Sequence, residues 1–233
     1  GRVLLLPLVP GLLARYPGLS LDLSFTDEVV DLVDTRMDVA VRWGALPPSD
    51  MVARRLGQTR QVIVAAPAYL AARGCPPHPA ALAAHVRLGW NYRRAIAGWP
   101  FRVDGQRIDI DIGELIRVND GDVMRELAIQ GSGLARLSVY HAWADMAAGR
   151  LVPVLEDFNT GDLEPIHAMY LGRPDRLPAR TRAVLDYLQA HVNLRHAEQP
   201  LPWGSATASA GAVFAAPAVG PDQPPLQPPP AAA

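Results

Sequence analysis

Asn119, Asp120, Gly121 and Asp122 stand in a row inside RVNDGDVMRELAIQGSGLARLS, residues 117–138. Short polar side chains at the head of an amphipathic run can do two kinds of work. They can accept hydrogen bonds from the backbone N–H groups that a first helical turn leaves unpaired, and acids there complement the positive helix end. On this reading Asn119 caps and Asp122, three residues on, takes the acid position of a capping box. The same helix end can instead face a ligand crevice, because free N–H groups favour anions; two nearby carboxylates weaken that attraction. Arg42-Trp43-Gly44 forms a second candidate group at the end of an extended segment. In open α/β sheets ligands bind outside the carboxyl ends of strands. An arginine there can clamp a carboxylate in bidentate fashion, and Trp43 can stack on an apolar or aromatic ligand. The plainer alternative is a surface arginine beside a partly buried tryptophan.

Other combinations carry less. Asp109 and Asp111 are spaced like a carboxylate pair, but they fall on the polar face of an alternating strand, where solvated acids are routine. Gly131-Ser132-Gly133 lacks the strand-before, helix-after setting of a dinucleotide loop and fits a helix C-cap followed by a short turn. His78, His85, His141, His167, His191 and His196 are scattered, with no HExxH pattern and no Cys/His pair, so neither a zinc site nor another cofactor is expected. No serine lies in a G-x-S-x-G elbow. The expectation is a protein that is not an enzyme.

Composition narrows the class. Apolar residues make up 49% of 233, enough to bury a sizeable core, and 22 basic residues balance 23 acidic ones. A nucleic-acid binder would usually show a clustered basic excess. Every basic residue is arginine, which together with abundant Ala and Pro reflects biased base composition. Cys75 is the sole cysteine, which excludes an internal disulfide and favours the cytoplasm. No apolar run approaches the ~18 residues of a membrane span. Arg2 before VLLLPLVPGLLA resembles a signal-peptide core, but ARYPG replaces a cleavage site, and a helix lacking its upstream region fits better.

The elements that position these residues follow from periodicity. Leu5, Leu8, Leu12 and Leu13 have helical spacing, with Pro7 tolerable only in a first turn. LSLDLSF alternates as a strand, Thr26-Asp27-Glu28 supplies a cap and first-turn acids, and Val29, Val30, Leu32 and Val33 give a helix stripe. Met37 to Trp43 is extended again, so a βαβ unit with parallel strands is expected. QVIVAAP reads as a strand buried on both faces. Beyond the connector CPPHP come a turn at Asp104-Gly105, alternation at Ile108, Ile110 and Ile112, and the stretch already quoted as helix and strand. Val139–Gly149 reads as helix, LVPVL and IHAMYLG as strands, and Pro178–Val192 as a final helix. From about Ala197 the chain is Pro- and Ala-rich with Glu198 and Asp222 its only charges, and disorder is expected.

In this order the stretches LLPLVPGLLARYPGLSLDLSFTDEVVDLVDTRMDVAVRWGALPPSDMVARRLG, VIVAAPAYLAARG, RVNDGDVMRELAIQGSGLA and AAGRLVPVLEDF resemble the effector-binding domain of LysR-type transcriptional regulators over about residues 1–192. The resemblance implies an α/β, periplasmic-binding-protein-like (type 2) fold: two Rossmann-like lobes with a ligand cleft between them. Residues 1–66 plus 165–193 would form lobe I and 67–164 lobe II, with 197–233 a disordered tail. It implies effector contacts at Thr26, Asp27, Arg42, Trp43, Asn91, Asn119, Asp120 and Gly121. The implied ligand is a small organic or aromatic acid. The implied assembly is a homodimer or homotetramer using the Val29–Arg36 helix and the final helix, in the cytoplasm and away from membranes. DNA would be bound only through an N-terminal domain missing from this chain. Two departures stand out: the family's first strand and its Ser-rich turn are absent, and Arg136 and Ser138 replace usual apolar and proline positions. A solute-binding protein of a transport system, which shares the fold, is the alternative.

Overall fold

The computed structural model describes residues 1–26, 37–46, 51–91, 98–111, 113, 115–173, 176–194 and 201. Asp27, the helix expected from Val29 and, apart from residue 201, the Pro/Ala-rich tail expected to be disordered lie outside these residues. The described chain forms two compact units, Gly1–Gln58 with Glu164–Leu194, and Thr59–Leu163.

The first unit opens with α1 (Arg2–Leu5), a tighter 3₁₀ turn at Leu6–Leu8 and α2 (Val9–Arg15). The single helix expected from the leucine spacing is therefore divided. Pro7 brings no N–H to the helical ladder, and the chain shortens its hydrogen-bond reach across it. Leu12 is the residue of this region that is buried. LSLDLSF is a second correction: residues 19–25 pair with no strand among the described residues. Alternation persists in part, with Leu19, Leu21 and Phe25 half-buried while Ser20, Asp22, Ser24 and also Leu23 are exposed. Alternation assigns faces, but a strand also needs a neighbour for its backbone groups.

β1 (Ala40–Trp43) runs antiparallel to β9 (Leu163–Tyr170), from Ala40 opposite Met169 to Trp43 opposite Ile166. The parallel βαβ unit expected here is not formed among the described residues. β9 lies between β1 and β2 (Val52–Ala65), a strand of 14 residues that begins in this unit and ends in the other. α6 (Ala179–His191) buries Thr181, Leu185 and Leu188, one helical face, and Arg54 of β2 donates to Asp186 of α6 at 2.7 Å.

In the second unit the late part of β2 is the apolar run foreseen for a doubly covered strand, with Val62, Ile63, Val64 and Ala65 all buried. It pairs antiparallel with β7 (Leu134–Ser138) and β8 (Val152–Val154). β7 continues in parallel to β3 (Arg87–Trp90), and β3 in parallel to β6 (Ile116–Val118). α3 (Pro67–Arg73), α4 (Gly121–Ile129) and α5 (Val139–Ala147) complete the unit. Ile63, Tyr69, Leu70, Leu82, Phe101 and Leu134 lead its core. β4 (Trp99–Val103) and β5 (Gln106–Ile110) form a separate hairpin. Its two-residue loop, Asp104-Gly105, has φ of 50° and 79°, the pair of positive values that a type I′ turn requires.

The Gly-Ser-Gly segment is the helix stop foreseen. Gly131 has φ of 77° and Ser132 N–H donates to the Leu127 carbonyl at 3.0 Å, a Schellman closure of α4. Gly133 answers a different need: a Cβ there would lie 2.6 Å from the Val86 carbonyl oxygen. The chain can enter β7 beside β3 only without a side chain at that position.

Candidate functional site

In the second unit, β3 and β6 are parallel and end side by side, Trp90 opposite Val118. Asn91 follows β3 and its N–H donates to the Val118 carbonyl at 3.0 Å. Asn119 follows β6, and α4 starts two residues later. Asn91, Asn119, Asp120 and Gly121 are thus brought to one place, outside the carboxyl ends of two parallel strands, where α/β sheets bind ligands. Asn91 and Asn119 are exposed, while Asp120 and Gly121 are half-buried.

The cap itself differs from expectation by one residue. Asp120, not Asn119, is the N-cap of α4, and its Oδ1 accepts from Asp122 N–H at 2.8 Å and Val123 N–H at 3.1 Å. Asp122 does not close a capping box; its carboxylate accepts from His141 Nε2 at 2.8 Å. The two acids at this helix end are therefore engaged by the backbone and by α5. The pairing of Asp122 with His141 escaped sequence reading because 19 positions separate them. The only usable signal was their placement at the heads of two successive helices.

Behind them lies a second polar link between α4 and α5. Asp145 is fully buried, and its carboxylate accepts from Arg125 Nη1 at 2.5 Å and from Arg150 Nε at 2.8 Å. Arg125 sits three residues after Asp122 and Asp145 four after His141, so both links share one helix-helix seam. Arg136, a departure noted in the sequence, lies on β7 opposite Ile63. With Gln61, Phe101 and Asn159 it lines a cavity of about 10 Å³, room for roughly one water.

In the first unit Arg42 and Trp43 close β1, and Gly44, with φ of 86°, turns the chain away while its N–H donates to the Pro165 carbonyl at 2.9 Å. Partial burial pushes the Arg42 guanidinium below its ordinary pKa, so its charge is incompletely solvated. Arg42 stands opposite His167 of β9, whose buried Nδ1 has no hydrogen-bond partner among the described residues. The Phe25 and Trp43 rings both approach Gly1, where a Cβ would lie 3.2 Å from Phe25 and 3.9 Å from Trp43. The Arg2 guanidinium lies 5.8 Å from the centre of the Phe25 ring. Thr26 is exposed directly after Phe25. No group of three or more metal-ligating side chains occurs among the described residues, and no helix among them is long and apolar enough to cross a membrane.

A mixed α/β sheet with candidate ligand contacts at its strand ends is the build of effector-binding domains with the type 2 periplasmic-binding-protein-like fold. Comparison makes this specific: the LysR substrate binding domain model matches residues 1–193, and the chain belongs to that family. The regulatory domain of CrgA, a LysR-type transcriptional regulator from Neisseria meningitidis, has the same fold with a TM-score of 0.76 at 30% identity, covering 82% of this chain and 93% of that one. The CrgA sequence of N. meningitidis serogroup C is 31% identical over 185 residues, 79% of this chain and 61% of that protein. AphB of Vibrio cholerae, at 23% identity and a TM-score of 0.70, covers 82% of this chain and 65% of that one and shares the fold. The chain spans about three-fifths of the length of the curated CrgA relatives it matches. These relatives are transcriptional regulators, which favours the regulator over the transport reading.

Proposed function

We propose that this chain senses a small organic or aromatic acid on behalf of a LysR-type regulator, and that it does so without catalysing a reaction. Thr26, Asp27, Arg42 and Trp43 in the first unit, and Asn91, Asn119, Asp120 and Gly121 in the second, are the proposed effector contacts. Residues 1–66 plus 165–193 would form one lobe of the regulator and 67–164 the other. The intact regulator would act in the cytoplasm as a homodimer or homotetramer, using the Val29–Arg36 helix and α6 as its interface. It would read DNA through a segment outside this chain. An effector acts by binding one arrangement of the regulator better than another.

The observation that carries the acid reading is Arg42. A guanidinium already partly withdrawn from water loses less hydration on meeting a carboxylate than an exposed one would. Trp43 follows it at the end of β1. The test is calorimetric titration of the 233-residue chain with a panel of small aliphatic and aromatic carboxylates. Arg42→Ala should weaken the best binder by about 1.5–3 kcal/mol, the range of a hydrogen bond to a charged group. Unchanged affinity in a folded variant would remove Arg42 from the site, and preference for uncharged analogues would remove the acid reading.

A further inference from the structure

The outer edge of β5 is paired with no strand among the described residues. Its two-residue turn sets which groups it presents. Val103 and Gln106 flank the loop and exchange hydrogen bonds, and antiparallel pairs alternate from there. Phe101–Ile108 and Trp99–Ile110 are therefore bonded pairs, whereas Arg102–Arg107 and Pro100–Asp109 are not. Pro100, which has no N–H, fits such a position. It follows that Ile108 directs its backbone groups at β4, and Arg107 and Asp109 direct theirs outward. On the face shared with Phe101, Ile108 remains 37% exposed although Phe101 is 1% exposed.

We propose that β5 pairs antiparallel with β5 of a second copy of this chain, about a two-fold axis passing beside Ile108. In that register Arg107 of each copy meets Asp109 of the other as a bonded pair, giving four backbone hydrogen bonds and two opposite-charge contacts. The two Ile108 side chains meet at the axis and cover each other. Centring the axis on Arg107 or on Asp109 would set like charges face to face, so the order Arg-Ile-Asp selects a single register. Charges on a strand edge commonly prevent pairing; this order is complementary to itself. Arg107 already pairs with Asp162 and lies 3.8 Å from Asp109. Its guanidinium has donors enough for both Asp162 and the second copy's Asp109. A five-residue edge buries less than the ~1,200 Å² of a stable interface, so the contact joins copies weakly or reinforces another interface.

Cross-linking tests the register. In a Cys75→Ser background, Ile108→Cys and Gln106→Cys are exposed to oxidised glutathione at matched concentration. Ile108→Cys should form a disulfide-linked dimer at least tenfold faster. Gln106 would face Ile110 of the second copy, leaving the two 106 positions four residues apart, about 13 Å at strand rise. Adding Asp109→Arg should suppress Ile108→Cys cross-linking, and adding Arg107→Asp with Asp109→Arg should restore it. Equal rates at the two positions, or rates indifferent to the charge exchange in variants that keep their circular dichroism, would overturn the proposal.

Discussion

His141 Nε2 donates to Asp122 Oδ1 across 2.8 Å, joining the first turn of α5 to the first turn of α4. The link lies immediately behind the Asp120 cap, so it also fixes where α4 begins relative to the ends of β3 and β6. His141→Ala should cost about 1–1.5 kcal/mol, the net worth of one such bond. Asp122→Ala should cost a similar amount, and the double variant should cost less than the sum. Urea denaturation of the three variants reads this directly. Strict additivity would mean that the two side chains do not act on each other.

The buried carboxylate of Asp145 makes a stronger demand. It is fully buried and balances Arg125, whose side chain is itself three-quarters covered, together with the more exposed Arg150. Removing the acid leaves a guanidinium in poor solvent with nothing opposite it. Asp145→Ala should therefore destabilise by about 3–5 kcal/mol, the cost of breaking a buried pair from one side. Arg150→Ala should cost much less, because its guanidinium reaches water. Denaturant midpoints for the two variants should differ by at least a factor of two in lost stability.

The cap assignment can be checked at single-residue resolution. Asp120 satisfies two backbone N–H groups and Asn119 stands outside the helix. Asp120→Ala should cost about 1 kcal/mol, and Asn119→Ala should leave the thermal midpoint within error. If Asn119 bound the effector without capping, its alanine variant would lose affinity at unchanged stability. A reversal of the two stability effects would restore Asn119 as the cap.

These residues also show what a sequence can and cannot disclose. The continuous apolar run ending β2, the final helix and the glycine that closes α4 depend on local periodicity and backbone freedom, and they were legible. The strand expected at Leu19–Phe25 was not, because alternation describes which side chains share a face and says nothing of a hydrogen-bonding neighbour. Asn91 reached the candidate site through a family resemblance, and Asn119 also through its place at the head of a helix; only the parallel pairing of β3 with β6 places their strand ends side by side. Asp122–His141 and Arg125–Asp145 depend on helix-helix packing, which no spacing within one element encodes. The cap expected at Asn119 lies one residue on, at Asp120, a shift of register that only chain geometry discloses.

His85 supplies a stability test with a defined pH direction. It is 8% exposed, and its Nδ1 shares a hydrogen bond with the Tyr69 hydroxyl at 3.2 Å, while that hydroxyl accepts from Val86 N–H at 2.9 Å. Burial foremost, and then the charges of Arg87 and Arg73, push its pKa below the ordinary 6.5. The unfolded chain therefore binds a proton that the folded chain refuses as pH falls. Stability owed to neutral His85 should be fully present above about pH 6.5 and lost progressively below it, toward the depressed folded value. In urea titrations between about pH 7.5 and 5, wild type should lose its advantage over His85→Gln as the pH falls. A gap independent of pH would show that His85 takes up its proton equally in the folded and unfolded chain.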